Sequence, residues 1–137
     1  MSSDPAPGAA VLETAELAAD VRRVADRLRS LSQARLAAAL PPHPSRAAAA
    51  RAVAQVLADA AQGIEERTAA GEPTWRVVPE LSDFAVGDQL AVTGHDLLAA
   101  ADGLPVDAPV WTRAGRRPVG EVVGDAAGRL AELRRAL

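Results

Sequence analysis

Three stretches of this chain repeat apolar residues at alternating intervals of four and three. That spacing constrains the fold more than any other feature. Leu17, Val21, Val24, Leu28 and Leu31 form one seam; Ala50, Val53, Leu57, Ala60 and Ile64 a second; Val119, Val123, Ala126, Leu130, Leu133 and Leu137 a third. Residues repeating this way line one side of an α-helix, and that side must be buried against another element. Small residues recur at sevens beside two seams: Ala18, Ala25, Ser32 and Ala39 beside the first, and Ala49, Val56, Gly63 and Ala70 beside the second. Helices with such ridges pack closely.

A fourth segment, Asp83 to Gly103, sorts the same way. At 100° per residue Val86, Leu90, Gly94, Leu97, Leu98 and Ala101 share a face, with Phe84 at its edge. Gln89, Thr93 and Asp96 fall opposite, and Asp88 and His95 share a flank two turns apart. Asp83 is placed to cap the start and Gly103 to stop the end. Gly87 and Gly94 each cost about 1 kcal/mol relative to Ala in a helix interior, and the usual return is close approach of another backbone. FAVGDQLAVTG, residues 84–94, also alternates passably as a strand; helix is preferred because the helical spacing continues through Leu98.

The resulting expectation is a mainly α chain: an antiparallel four-helix bundle with helices near 9–40, 46–70, 84–102 and 118–136. The Pro-rich connector at 41–45 ends the first helix, and Ser45 can cap the second. So short a link joins the first two helices as an antiparallel αα-hairpin. Arg22 and Asp26 make an i,i+4 pair on the solvated face of the first helix. Gln55, Asp59, Gln62 and Glu66 lie on the outer side of the second, and Gly71 ends it. Pro118 suits the first position of the last helix. Residues 1–8, rich in Ser, Pro and Gly, are expected to be a disordered tail, and 9–137 a single domain. Between the helices, 71–82 and, in the segment after the third helix, Val110-Trp111-Thr112 read as extended. Their Trp-bearing segments, around Trp75 and Trp111, could pair as a minimal two-stranded ribbon.

Composition excludes several chemistries. There is no Cys, which removes disulfides, thiol catalysis and thiolate metal sites. Lys, Asn and Tyr are absent and all 15 basic residues are Arg. Coding bias in a GC-rich bacterial genome accounts for that, so Arg alone does not signal phosphate recognition. Net charge is −3, which gives no global case for nucleic acid or acidic membranes. No apolar run approaches the ~20 residues that span a bilayer. The N-terminus shows no secretory pattern, so the expected compartment is the cytoplasm.

No catalytic set is legible. His95 is the only plausible base for nucleophilic catalysis, and Thr93, two residues away, points elsewhere. His43 lies in the Pro-rich loop. Asp88 and His95 sit roughly 10 Å apart along a helix, too far to hold one ion without help from another element. No metal and no cofactor is expected. Gly120, Gly124 and Gly128 form a ladder on the last helix that is either a packing face or a trace of coding bias.

Three functions from different classes remain. The first is a small helical protein acting without catalysis through a protein partner or self-association. The second is a ligand-binding or enzymatic bundle whose pocket is lined by Trp75, Asp88, His95 and Trp111. The third is a DNA-associated accessory protein using Arg113, Arg116 and Arg117.

Overall fold

The computed structural model describes residues 10–137. The expected tail, residues 1–8, lies outside the described residues. Within them the chain forms α1 (Ala15–Ser30), α2 (Gln33–Ala37), α3 (Arg46–Glu65), α4 (Val86–Ala101), β1 (Pro109–Thr112), β2 (Gly115–Pro118) and α5 (Val119–Ala136). It is mainly helical, with one small antiparallel sheet. No helix among the described residues is long and apolar enough to cross a membrane.

The seams form the core. Leu28, Leu57, Ile64, Leu90, Leu97 and Leu130 are fully buried, and Val21, Val53, Val123 and Leu133 join them. The central helix is α4, the stretch that could also be read as a strand. It packs on both α1 and α3, and α5 packs on the same two. A Cβ on Gly87 would lie 3.0 Å from the Ala25 carbonyl oxygen, so the glycines of α4 do admit α1 at close range.

The expected αα-hairpin is not formed: α1 and α3 share no packed face, since α4 and α5 lie between them. The reason is local. The first helix does not run to residue 40 but stops at Ser30. Leu31 turns extended, and the Ser32 hydroxyl accepts from the Arg35 amide to start α2. Ser30 and Ser32 offer the backbone hydrogen bonds that compete with helix continuation. The link from α1 to α3 is therefore long enough to leave α1 beside α4. Within α1, Asp26 pairs with Arg29 and not with Arg22.

Other boundaries shift for stated reasons. Ser45 caps α3 through the Ala48 amide. That helix ends at Glu65, well before Gly71, where side chains from the β-hairpin take over the carbonyls that follow. Asp83 opens a short 3-10 turn, Asp83–Ala85, but makes no cap bond; Ser82 precedes the turn and Ala85 precedes α4. Gly103 follows the end of α4 with φ +74°. Pro118 stands just before α5 rather than in its first turn.

The ribbon pairs β1 with β2, not with the Trp75 segment. Val110 faces Arg117 and Trp111 faces Arg116. The two-residue turn Arg113–Ala114 leads into Gly115 at φ +101°. A local hairpin closes a far shorter loop than a pairing back to residue 75. Of the glycine ladder, Gly120 packs against Val106, while nothing among the described residues approaches Gly124 or Gly128.

Candidate functional site

The segment after α3 has no strand partner, yet its backbone is not left to water. We call residues 72–82 the strap. It runs back along α3, held by side-chain amides that do the work of a neighbouring strand. Gln62 Nε2 donates to the Thr74 carbonyl at 2.8 Å, and its Oε1 accepts from the Arg76 amide at 3.0 Å. Seven residues earlier on α3, Gln55 repeats the arrangement. Its Nε2 donates to the Arg76 carbonyl at 2.9 Å and its Oε1 accepts from Val78 at 2.8 Å. Farther along, Arg51 donates to the Leu81 carbonyl at 3.1 Å, and from α4 Gln89 donates to the Pro79 carbonyl at 2.6 Å.

This corrects the outward placement of two glutamines. Gln62 is 3% exposed and Gln55 is half-buried. On α4, Gln89 and Thr93 are likewise buried, because the strap and α3 cover the face expected to be polar and open. The Gln62 amide is satisfied through both its nitrogen and its oxygen, whereas Gln89 spends its Nε2 on Pro79 and its buried Oε1 has no partner among the described residues.

Two surfaces flank the strap. On one side Trp75 and Trp111 meet in a cavity of about 200 Å³, floored by Val56, Ala60 and Val122. Both indole N–H groups are spoken for: Trp75 donates to Glu72 and Trp111 to the Ala69 carbonyl. Arg113 lies over the Trp75 ring and Arg116 over Trp111, at 5.3 and 4.2 Å from the ring centres. On the other side is an apolar cleft of about 410 Å³ lined by Val78, Pro79, Leu81, Ala85, Gln89 and Val92. Val77 is 81% exposed, Phe84 62%, Val92 59% and Leu81 50%.

The structure brings Trp75 and Trp111 together but separates them from the other two residues of the expected pocket. Asp88 borders the apolar cleft instead; it is exposed and holds Arg29 of α1 at 2.8 Å, a bond that raises the guanidinium pKa above its ordinary value. His95, also exposed, borders a shallow hollow against α1 with Val21 and Arg22. Among the described residues no three His, Asp or Glu side chains converge as metal ligands would.

The arginine cluster is committed inside the chain. Arg113 makes a two-pronged bond to Asp59, at 2.7 and 3.1 Å, which raises its pKa. Arg117 binds Asp125 at 2.9 Å and Glu121 at 3.2 Å, with the same direction of shift. Arg116 donates to the Arg67 and Ala69 carbonyls at 2.8 and 2.7 Å, closing the end of α3. Each cation already has oxygen partners within the chain, with which a phosphate would have to compete.

Sequence reasoning passed over the strap and its glutamines. The usable signal was an accounting one. An extended segment bounded by Pro73 and Pro79, with no strand to pair with, needs donors and acceptors from somewhere. Gln55 and Gln62, seven apart, could supply both.

No protein-family model, curated protein or solved structure matches this chain.

Proposed function

We propose that this chain is a non-catalytic helical module, acting in the cytoplasm, that docks another protein on the face formed by the strap and the start of α4. The four long helices, read as an antiparallel four-helix bundle, serve as its rigid platform. One observation carries the reading. Of the five large apolar side chains left exposed among the described residues, four belong to the strap and the turn and helix that follow it, Val77, Leu81, Phe84 and Val92, and two of these, Leu81 and Val92, line the cleft together. In a chain with so few large side chains, leaving these outside is a cost that a partner would recover. A photo-cross-linking residue at position 84, introduced in the cell of origin, tests it. The expected result is one discrete adduct, lost on Val92→Glu. Adducts no different from those at an exposed control position, Arg135, would refute it. Light scattering over a hundredfold concentration range separates a foreign partner from a second copy. A dimer abolished by Val92→Glu would assign the face to self-association.

A second reading rests on the Trp75–Trp111 cavity, where the chain spends both of its tryptophans. It takes a small, flat ligand between the indoles. A metabolite screen read by indole fluorescence and melting temperature tests it, with hits expected to vanish in Trp111→Leu. Hits that survive Trp111→Leu would remove the cavity from consideration.

A further inference from the structure

The strap has two edges, and only one is used. In an extended chain the N–H and C=O of alternate residues point to opposite sides. The even residues are spent on α3: Thr74 C=O, Arg76 N–H and C=O, and Val78 N–H. The odd residues between them, Trp75 and Val77, have no backbone partner among the described residues. Beyond them the edge closes: Pro73 and Pro79 carry no N–H, and the Pro79 carbonyl is taken by Gln89. What remains is a strand edge of two donors and two acceptors.

We propose that this edge is a β-augmentation site for an extended segment of another protein, carrying a carboxylate opposite Arg76. The inference rests on the docking reading above and narrows it. An antiparallel strand centred opposite Arg76 satisfies all four groups, two through Trp75 and two through Val77. Two copies paired about a centre one residue to either side set a proline of the strap against Val77 or Trp75 and leave one carbonyl of each strap without a donor. Charge then selects the occupant. In the centred register a second copy of this chain would bring Arg76 directly onto its own image, and like charges directly opposite are destabilising. A carboxylate there would instead meet Arg76, which is 71% exposed and gives one nitrogen to Glu65 at 3.2 Å, leaving its other N–H groups for a second oxygen. Val77 gives the incoming strand an apolar neighbour, and the cleft by Val92 lies on the flank where Val78 points.

The probe is a capped peptide, Lys-Thr-Val-Glu-Val-Thr-Lys, with binding followed by calorimetry or fluorescence anisotropy on the full chain. With Glu opposite Arg76, the two valines hydrogen-bond to Trp75 and Val77, while the threonine amides point away. N-methylation of the two valines is expected to abolish binding, and N-methylation of the two threonines to leave it within about threefold. Replacing the central Glu by Arg weakens it. Val77→Pro removes a donor that makes no bond among the described residues, follows a residue already extended, and is expected to weaken binding about tenfold with the melting temperature unchanged. No binding of the parent peptide at about 1 mM, a bound state worth only some 4 kcal/mol, overturns the proposal. Equal loss from both N-methylated peptides also overturns it, while leaving a side-chain docking face intact. A strap-mediated dimer of the free chain, lost in Val77→Pro, overturns the choice of occupant.

Discussion

Val21 on α1 and Gly94 on α4 are fitted so closely that a methyl group on the glycine would fall 2.5 Å from Val21 Cγ1. Two competing effects act on Gly94→Ala. Alanine gains about 1 kcal/mol of helix propensity, whereas overpacking a tight contact costs about 1–3 kcal/mol. Valine is stiff at χ1 in a helix and cannot swing aside. The expected result is a net loss of about 1 kcal/mol in urea denaturation. In a Val21→Ala background the obstacle is gone and the same substitution should stabilise. A stabilising Gly94→Ala in the otherwise native chain would contradict the fit.

Gly63 and Gly124 make a sharper pair. A Cβ on Gly63 would collide with the Trp111 backbone carbonyl, which cannot move without shifting the hairpin off α3. Gly63→Ala should therefore cost about 3 kcal/mol, at the upper end for overpacking. Gly124 meets nothing, so Gly124→Ala should stabilise by up to about 1 kcal/mol through helix propensity. Thermal melts of the two variants should move in opposite directions. If Gly124→Ala destabilises, that face of α5 is covered in solution by something outside the described residues.

The helices were legible because each carries a long seam whose period does not depend on its neighbours. Val24, Leu57, Leu90 and Leu130 were placed inside from spacing alone, and all four are buried. Their arrangement was less accessible. Whether α1 lies beside α3 or beside α4 turns on a break at Leu31, set by the two serines around it, and on the space left by Gly87 and Gly94. Both are contests of a few kcal/mol that a repeat pattern does not register. The convergence of the two Trp segments was expected, but as paired strands; the indoles meet through side chains while the Trp111 strand pairs with its own neighbour. The strap was hidden for a different reason. A glutamine that replaces a strand is indistinguishable in sequence from one that faces water, and the helical wheel turns Gln55 and Gln62 away from the seam while saying nothing of the strap that crosses above and covers them.

Those glutamines should therefore be structural in a way that ordinary surface amides are not. Gln62→Ala removes two bonds to the strap and strands an amide donor and a carbonyl, an expected loss of about 2–3 kcal/mol. The double variant Gln55→Ala/Gln62→Ala should free the strap while the helices persist. Limited trypsin digestion would then cut first after Arg76, with little change in far-ultraviolet circular dichroism. Hydrogen exchange at the Arg76 and Val78 amides should accelerate before any helical amide responds. Unchanged exchange at those two positions would mean the ladder does not hold the strap.

The arginines around the two indoles differ in what they hold, and salt should tell them apart. Arg113 ties to a carboxylate, with its side chain 53% exposed. Such a pair is worth a few tenths of a kcal/mol, and it fades at 1 M salt, where charges are screened within about 3 Å. Arg116 instead closes two backbone carbonyls at the end of α3 and stacks on Trp111. Arg116→Ala should cost about 1 kcal/mol or more, most of it surviving in high salt. The pH response follows from the sign of the shift. The bond to Asp59 raises the Arg113 pKa in the fold, so this cation's contribution is complete below the ordinary arginine value. It disappears only as pH rises beyond that value. Between pH 6 and 9 the difference between the native chain and Arg113→Ala should stay flat as far as the guanidinium controls it. A large Arg113→Ala effect that persists in 1 M salt would show that its stacking on Trp75, and not its charge, is what the cavity depends on.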